Sequence, residues 1–127
     1  MTIPEVETDD RSGAVLPEDV SVADLAELMA AVLASEGAGA DATAGLHLVS
    51  PEEIELLNES HMNAKGPTDV LSFPVDGIAD AAGGGEPVLV GDVVLSPQVA
   101  ARQAPSHAGS AAAECRLLVV HGALHLA

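Results

Sequence analysis

The chain has 127 residues, and its 4 Lys and Arg against 20 Asp and Glu give a formal net charge of -16 at pH 7. Hydrophobic residues make up 48% and aromatic residues 1%, which predicts a single globular domain with an aliphatic core. The charge opposes a broad nucleic-acid-binding surface, because such a surface holds phosphates with clustered cations. RNA or DNA would have to be bound locally, by a metal or by Lys65, Arg102 and Arg116.

The first half of the chain alternates between strand and helix patterns. IPEVETDDRSG predicts a short strand with a turn at 9–13, and it lacks the composition of a secretory signal. A helix is expected from Ser21, which forms a capping-box pattern with Asp24, and Gly-Ala-Gly ends its apolar stripe. AGLHLVS then predicts a strand in which His47 lies opposite the apolar face. An exposed strand histidine is expected there.

The second half continues with two helices and two strands before a final helix. Ser50 and Pro51 are typical of a helix start, and this helix is expected to fray into NESHMNAKGP. TDVLSFPV predicts a short strand, and DGIADAAGGGEP predicts a mobile loop. The nearly continuous apolar run VLVGDVVLS indicates a central strand. A short helix is expected from Ser96 to Pro105, and a last one from about Ser110 to the chain end.

This order predicts an α+β or α/β fold, in which helices cover a small mixed sheet of about four strands. No apolar run approaches the ~18 residues that a membrane helix requires. The single cysteine, Cys115, cannot form an intramolecular disulfide, which fits a reducing compartment. We therefore expect a cytoplasmic protein with no membrane contact.

The final helix carries two histidines, His121 and His125, four residues apart. This spacing places them on one helix face about 6 Å apart along the axis. They could converge on one zinc ion with Zn–N distances of about 2.1 Å. The helix is apolar nearly all round, so we expect it to be buried, and each imidazole is then either a metal ligand or a hydrogen-bonded core residue. Gly122 allows close approach of another backbone, and it stands where a zinc peptidase has its glutamate, which opposes a peptidase.

Three stretches, taken in order and spacing, resemble the YbeY family of metal-dependent endoribonucleases: GPTDVLSFP (66–74), GDVVLS (91–96) and HGALHLA (121–127). The terminal motif of that family runs H-G-x-L-H-L-x-G-Y-D-H, and its three histidines bind one zinc ion. The resemblance implies that His121 and His125 are the first two zinc ligands. It places the third histidine of the motif four residues after Ala127. It therefore predicts one YbeY-like domain, incomplete at its C-terminus.

The stretch before Pro67 departs from the family pattern. Many members carry an arginine five residues before this proline, and it is implicated in activity. Here that position is Met62, with His61 beside it. The role that the arginine has in other members is therefore missing here or is performed by another residue. Lys65 either supplies a positive charge nearby or is solvated surface.

The resemblance implies a zinc-dependent endoribonuclease that cuts single-stranded RNA during 16S rRNA 3′-end maturation and ribosome quality control. No side chain stands out as the general base, so catalytic residues stay unassigned. Thr68, Asp69 and Ser72 are candidates for the cleft wall, although Pro-Thr-Asp is also typical of a turn and Phe73 of a core anchor. Asp92 either orients a metal ligand or satisfies backbone groups at a bulge.

The sequence is also compatible with two other functions. The acidic charge favours a metallohydrolase acting on a small molecule, since RNA would be repelled. It also favours a non-catalytic module that docks on basic proteins of the small ribosomal subunit. Cleavage of RNA that a chelator abolishes would indicate the nuclease, whereas salt-sensitive ribosome binding that survives a chelator would indicate the module. No DNA partner is expected.

Overall fold

The computed structural model describes most of the chain, and it supports the predicted mixed sheet covered by helices. The fraying expected over 58–67 is wrong for 58–61, which form the last turn of the second helix. The rest of that stretch, including Met62 and Lys65, and nearly all of the expected mobile loop lie outside the described residues. The described residues are 3–61, 68–76, 88–106 and 109–126.

Within these ranges, four strands and four helices follow one another in the predicted order. No helix in the described ranges is long and apolar enough to cross a membrane. A short 3-10 turn, Ala104–Ser106, follows the third helix. The elements are β1 (Glu5–Asp10), α1 (Val22–Ser35), β2 (Ala42–Leu48), α2 (Pro51–His61), β3 (Val70–Pro74), β4 (Val88–Leu95), α3 (Pro97–Gln103) and α4 (Ala111–Leu126).

The strands form one sheet in the order β1-β2-β4-β3. The first three are parallel to one another, and β3 runs antiparallel to β4. The apolar run of β4 therefore lies in the sheet interior, which confirms that prediction. Among the described strands the short strand β3 is at an edge of the sheet, with β4 as its one neighbour.

The sheet separates two aliphatic cores. The larger core lies between the sheet and the helices α1 and α4, and the smaller one lies under α2 on the opposite face. Alternation along the strands divides their side chains between the two faces. The larger core includes Leu25, Met29, Leu33, Leu46, Leu95, Val93, Val119 and Leu126; the smaller includes Val49, Ile54, Leu71 and Val94, with Leu57 and Phe73 packed against it.

A β-bulge in β4 is centred on Gly91. The register between β2 and β4 shifts by one residue just before Gly91, whose φ is +154°. A Cβ at this position would lie 2.5 Å from the carbonyl oxygen of Phe73 and 2.9 Å from Cδ2 of Leu126. Glycine is required here because both the backbone conformation and the space exclude a side chain. The bulge brings β3 and the end of α4 into close contact with β4.

The C-terminal helix α4 is present as predicted, but it is buried on one face only. The Ser110 hydroxyl accepts a hydrogen bond from the Ala113 amide (3.2 Å) at its start. Leu117 is 52% exposed, and His121 and His125 are also exposed. The expectation that this helix buries both imidazoles is therefore wrong. The reason is that, among the described residues, the histidine side of α4 borders an open cleft beside β3.

Cys115 lies on the buried face of α4. Burial is the main cause that raises the pKa of its thiol, and the negative charge of Glu114 acts in the same direction. A raised pKa disfavours the thiolate, which is the reactive form. Cys115 is therefore a packing residue of the larger core.

Candidate metal centre and the cleft beside β3

His121 and His125 point their imidazoles toward each other on the exposed face of α4. Their Nε2 atoms are 3.1 Å apart, and their ring centroids are separated by 4.4 Å. Two nitrogens bound tetrahedrally to one zinc ion at about 2.1 Å would be about 3.4 Å apart. The pair therefore fits two adjacent corners of such a coordination shell with little movement.

The histidine pair borders an open cleft of about 310 Å³ between α4 and the edge strand β3. Ser72, one of the candidates for the cleft wall, lines this cleft. Thr68 and Asp69 instead line a neighbouring cleft of about 390 Å³, and His121 belongs to both. The strand side of the first cleft is formed by Val70, Leu71, Ser72 and Pro74.

A hydrogen bond and a glycine fix α4 against the sheet at the level of the histidines. The Ser72 hydroxyl donates to the carbonyl oxygen of Gly122, at 2.9 Å. A Cβ on Gly122 would lie 2.8 Å from Cγ1 of Val93 and 3.3 Å from the Ser72 oxygen. Gly122 therefore allows close approach, but the neighbour is the side chain of Val93 and not the backbone that the sequence predicted.

Replacing Gly122 with alanine is expected to lower the free energy of unfolding by about 1–2 kcal/mol, as overpacking in a core does. Val93 is fully buried and cannot withdraw its methyl group, so the helix itself must move. The steric cost of about 2–3 kcal/mol is partly offset by the ~1 kcal/mol that alanine gains over glycine in helix propensity, which leaves the expected net loss. Urea denaturation would measure the change.

The double variant Gly122→Ala/Val93→Ala provides the control for this prediction. Truncating Val93 removes the methyl groups that meet the new Cβ, so the two substitutions should be less destabilising together than the sum of their separate effects. Strict additivity would contradict the steric explanation.

The described ranges hold no cluster of three or more His, Cys, Asp or Glu side chains that could bind a metal. The histidine pair therefore offers two of the three protein ligands that a catalytic zinc site normally has. Glu114, which is 1% exposed and lies seven residues before His121, lines the neighbouring cleft. Nothing in the sequence pattern marked this buried carboxyl group.

A second polar cluster lies on the opposite face of the sheet, and sequence reasoning missed it. His47 Nε2 lies 2.9 Å from Asp92 Oδ1, and His47 Nδ1 lies 3.6 Å from Asp9 Oδ2. The Arg11 guanidinium contacts Asp9 and hydrogen-bonds Glu53 through Nε (2.9 and 3.0 Å) and Nη2 (2.6 Å). The bond to Glu53 is the main cause that raises the pKa of Arg11.

This cluster corrects two expectations. The His47 side chain is 29% exposed and paired, so the expected exposed strand histidine is wrong. Asp92 lies beside the bulge, but its carboxylate contacts His47. The signal available in the sequence was the alternation of side chains along β1 and β2. It assigns Asp9 and His47 to a sheet face, and the two residues are direct partners across these strands.

Two of the basic residues considered for local RNA contacts, Arg102 and Arg116, do not line the histidine cleft. Arg116 Nη2 donates to the carbonyl oxygen of Asp19 at 2.6 Å, and Arg102 is exposed on α3. Lys65 lies outside the described residues. The described part of the cleft therefore presents imidazoles, a hydroxyl and apolar groups to a ligand.

The fold and the site together define a class: a small α+β protein whose C-terminal helix presents a histidine pair beside an edge strand. The same fold is found in the solution structure of TM1509 from Thermotoga maritima. The two structures align with a TM-score of 0.60 at 24% sequence identity, over 95% of this chain and 71% of that one.

The family model described as endoribonuclease YbeY matches residues 7–127. Proteins with that name are 50% identical over 86 residues in Salinispora tropica (62% of this chain and 55% of the relative) and 51% identical over 81 residues in Thermobifida fusca (62% and 52%). One in Pelotomaculum thermopropionicum is 43% identical over 95 residues (75% and 62%). The chain belongs to the YbeY family. The matched part spans between half and two thirds of the length of these relatives.

Proposed function

We propose that the protein is a zinc-dependent endoribonuclease that cuts single-stranded RNA. The observation that carries this proposal is the convergence of His121 Nε2 and His125 Nε2, 3.1 Å apart, beside an open cleft. The names of the relatives support the reaction class. We further propose that the substrate is precursor 16S rRNA near its 3′ end, in the cytoplasm, and that proteins of the small ribosomal subunit are partners.

His121 and His125 would hold the ion through their Nε2 atoms at the mouth of the cleft. When bound, zinc supplies a coordinated water with a pKa of about 7 and polarises a phosphoryl oxygen. Ser72 keeps the histidine-bearing helix seated on β3 through its bond to the Gly122 carbonyl.

An RNA cleavage assay tests this proposal directly. The protein is incubated with zinc and a fluorescently labelled single-stranded RNA that carries the 3′ end of precursor 16S rRNA. We expect cleavage that EDTA abolishes and excess zinc restores. His121→Ala is expected to reduce the rate by at least about 100-fold, because a metal ligand is lost.

The matched control is Leu124→Ala, which truncates a side chain on the same helix that is 47% exposed and lines neither cleft. This variant should cleave at the rate of the unmodified protein. Cleavage that persists in EDTA, or that His121→Ala leaves unchanged, would overturn the proposal. Binding to ribosomal subunits without any cleavage would favour the non-catalytic module instead.

A further inference from the structure

A groove of about 270 Å³ lies between α2 and the sheet face opposite α4. Part of its lining is aromatic and aliphatic, and another part is a paired carboxylate and imidazole. The apolar side is formed by Leu57, His61, Phe73 and Val94, and the polar side includes His47 and Asp92. We propose that this groove binds a base of the RNA substrate, a guanine in particular; the inference rests on the proposed function.

The apolar side of the groove contains the only aromatic side chain of the protein. Phe73 packs against the smaller core but is only partly buried, so it is not the fully buried anchor that the sequence suggested. Its ring centroid lies 5.5 Å from that of the exposed His61, at an interplanar angle of 83°. Two rings at right angles offer a flat base one face to stack on and one edge to contact.

The polar side of the groove offers a hydrogen-bond acceptor for the edge of that base. Asp92 Oδ1 is bonded to His47 Nε2, which still leaves the carboxylate lone pairs for further donors. The Asp92 side chain is 35% exposed, so a ligand can reach it. Guanine presents a ring N–H and an amino group on one edge, and a carboxylate accepts from both.

Gly45 provides the room in which the polar pair is seated. A Cβ at this position would lie 2.2 Å from Asp92 Oδ1 and 2.8 Å from His47 Nε2. The two side chains therefore lie directly over the backbone of β2 and leave the apolar side of the groove to the two rings. This arrangement separates a stacking surface from a hydrogen-bonding edge, as base recognition requires.

The charge of the protein favours a base over a phosphate as the group that is bound. The net charge of -16 repels the RNA backbone, and Arg11 at the groove already contacts Glu53 and Asp9. Affinity must then come from stacking and from hydrogen bonds to base edges. One stacked base raises affinity by roughly five- to 100-fold.

The edge strand β3 connects the groove to the histidine cleft. Ser72 faces the cleft and the Gly122 carbonyl, whereas Phe73, the next residue, faces the groove. In the described sheet β3 is at the edge, so an RNA strand can cross its outer side. A phosphate at the histidine pair and a nearby base against Phe73 would then belong to one RNA molecule.

The test measures binding of zinc-free protein to a labelled single-stranded RNA of ten nucleotides by fluorescence anisotropy. Replacing one guanosine with an abasic residue, position by position, should weaken binding about tenfold at one position. Replacing that guanosine with inosine, which lacks the amino group, should weaken binding less. These arms change the RNA only, so they do not depend on the stability of a variant.

Two variants then assign the effect to the groove. Phe73→Leu should bind the intact RNA about tenfold more weakly and become insensitive to the abasic position. Asp92→Asn should lose the difference between guanosine and inosine. The control is Leu56→Ala, since Leu56 is 63% exposed and is not part of the groove; it should bind like the unmodified protein.

The outcomes separate this inference from the proposed function. If no abasic position affects binding, or if Phe73→Leu keeps the full abasic effect, the groove is not a base site. Chelator-sensitive cleavage in that case leaves the proposed function intact. Base-dependent binding through Phe73 without any cleavage would support the groove and overturn the nuclease. Absence of RNA binding would overturn the inference.

Discussion

Replacing Gly91 with alanine is expected to lower the free energy of unfolding by about 3 kcal/mol or more, as strain and overpacking together do. The backbone at Gly91 has φ +154°, and a Cβ would lie 2.5 Å from a backbone oxygen of β3. That oxygen belongs to a hydrogen-bonded strand and cannot rotate away. Urea denaturation followed by circular dichroism measures the change.

Gly13→Ala is the matched control for this prediction. Gly13 also has a positive φ, +73°, but no atom lies within 4 Å of a Cβ built there. Its substitution should cost about 1 kcal/mol, which is the backbone part alone. Equal losses in the two variants would show that the contact with β3 contributes nothing.

Residues 1–127 are expected to bind zinc at least about 100-fold more weakly than a chain that continues through a third histidine, since three protein ligands are the norm for catalytic zinc. The family pattern places that histidine four residues after Ala127, so the longer protein carries Gly-Tyr-Asp-His after Ala127. His121 and His125 would remain the first two ligands. Isothermal titration calorimetry with zinc compares the extended and unextended proteins.

An extension that ends in Gly-Tyr-Asp-Ala controls for the added length. It should bind zinc as weakly as the 127-residue chain. His121→Ala in the Gly-Tyr-Asp-His protein should remove most of the gain. Equal affinities with and without the third histidine would contradict the assignment of this helix as the metal-ligand helix.

The elements of the fold were predictable because their signals are local. The capping box at Ser21 forms as expected, with hydrogen bonds of 3.0 Å in both directions between Ser21 and Asp24. Ser50 likewise accepts from the amide of Glu53 at 3.1 Å. The apolar run of β4 indicated an interior strand without any knowledge of its neighbours. Such patterns depend on residues a few positions apart.

The surroundings of the site were less predictable because they depend on pairing between distant segments. Helical spacing predicted that His121 and His125 share one helix face, but it did not predict the open cleft that leaves them exposed. His47 and Asp92 are 45 residues apart and meet only through the register of β2 and β4. A bulge at Gly91 contributes to that register, and a bulge has no reliable signature in a single sequence.

The helix α4 has its core residues on one face and the histidine pair on the other. The position of the histidine pair therefore depends on the packing of the domain, because Val119, Ala123 and Leu126 anchor the same helix turns in the larger core. Substitutions in the larger core behind the pair are expected to change the spacing of the two imidazoles as well as the stability of the domain.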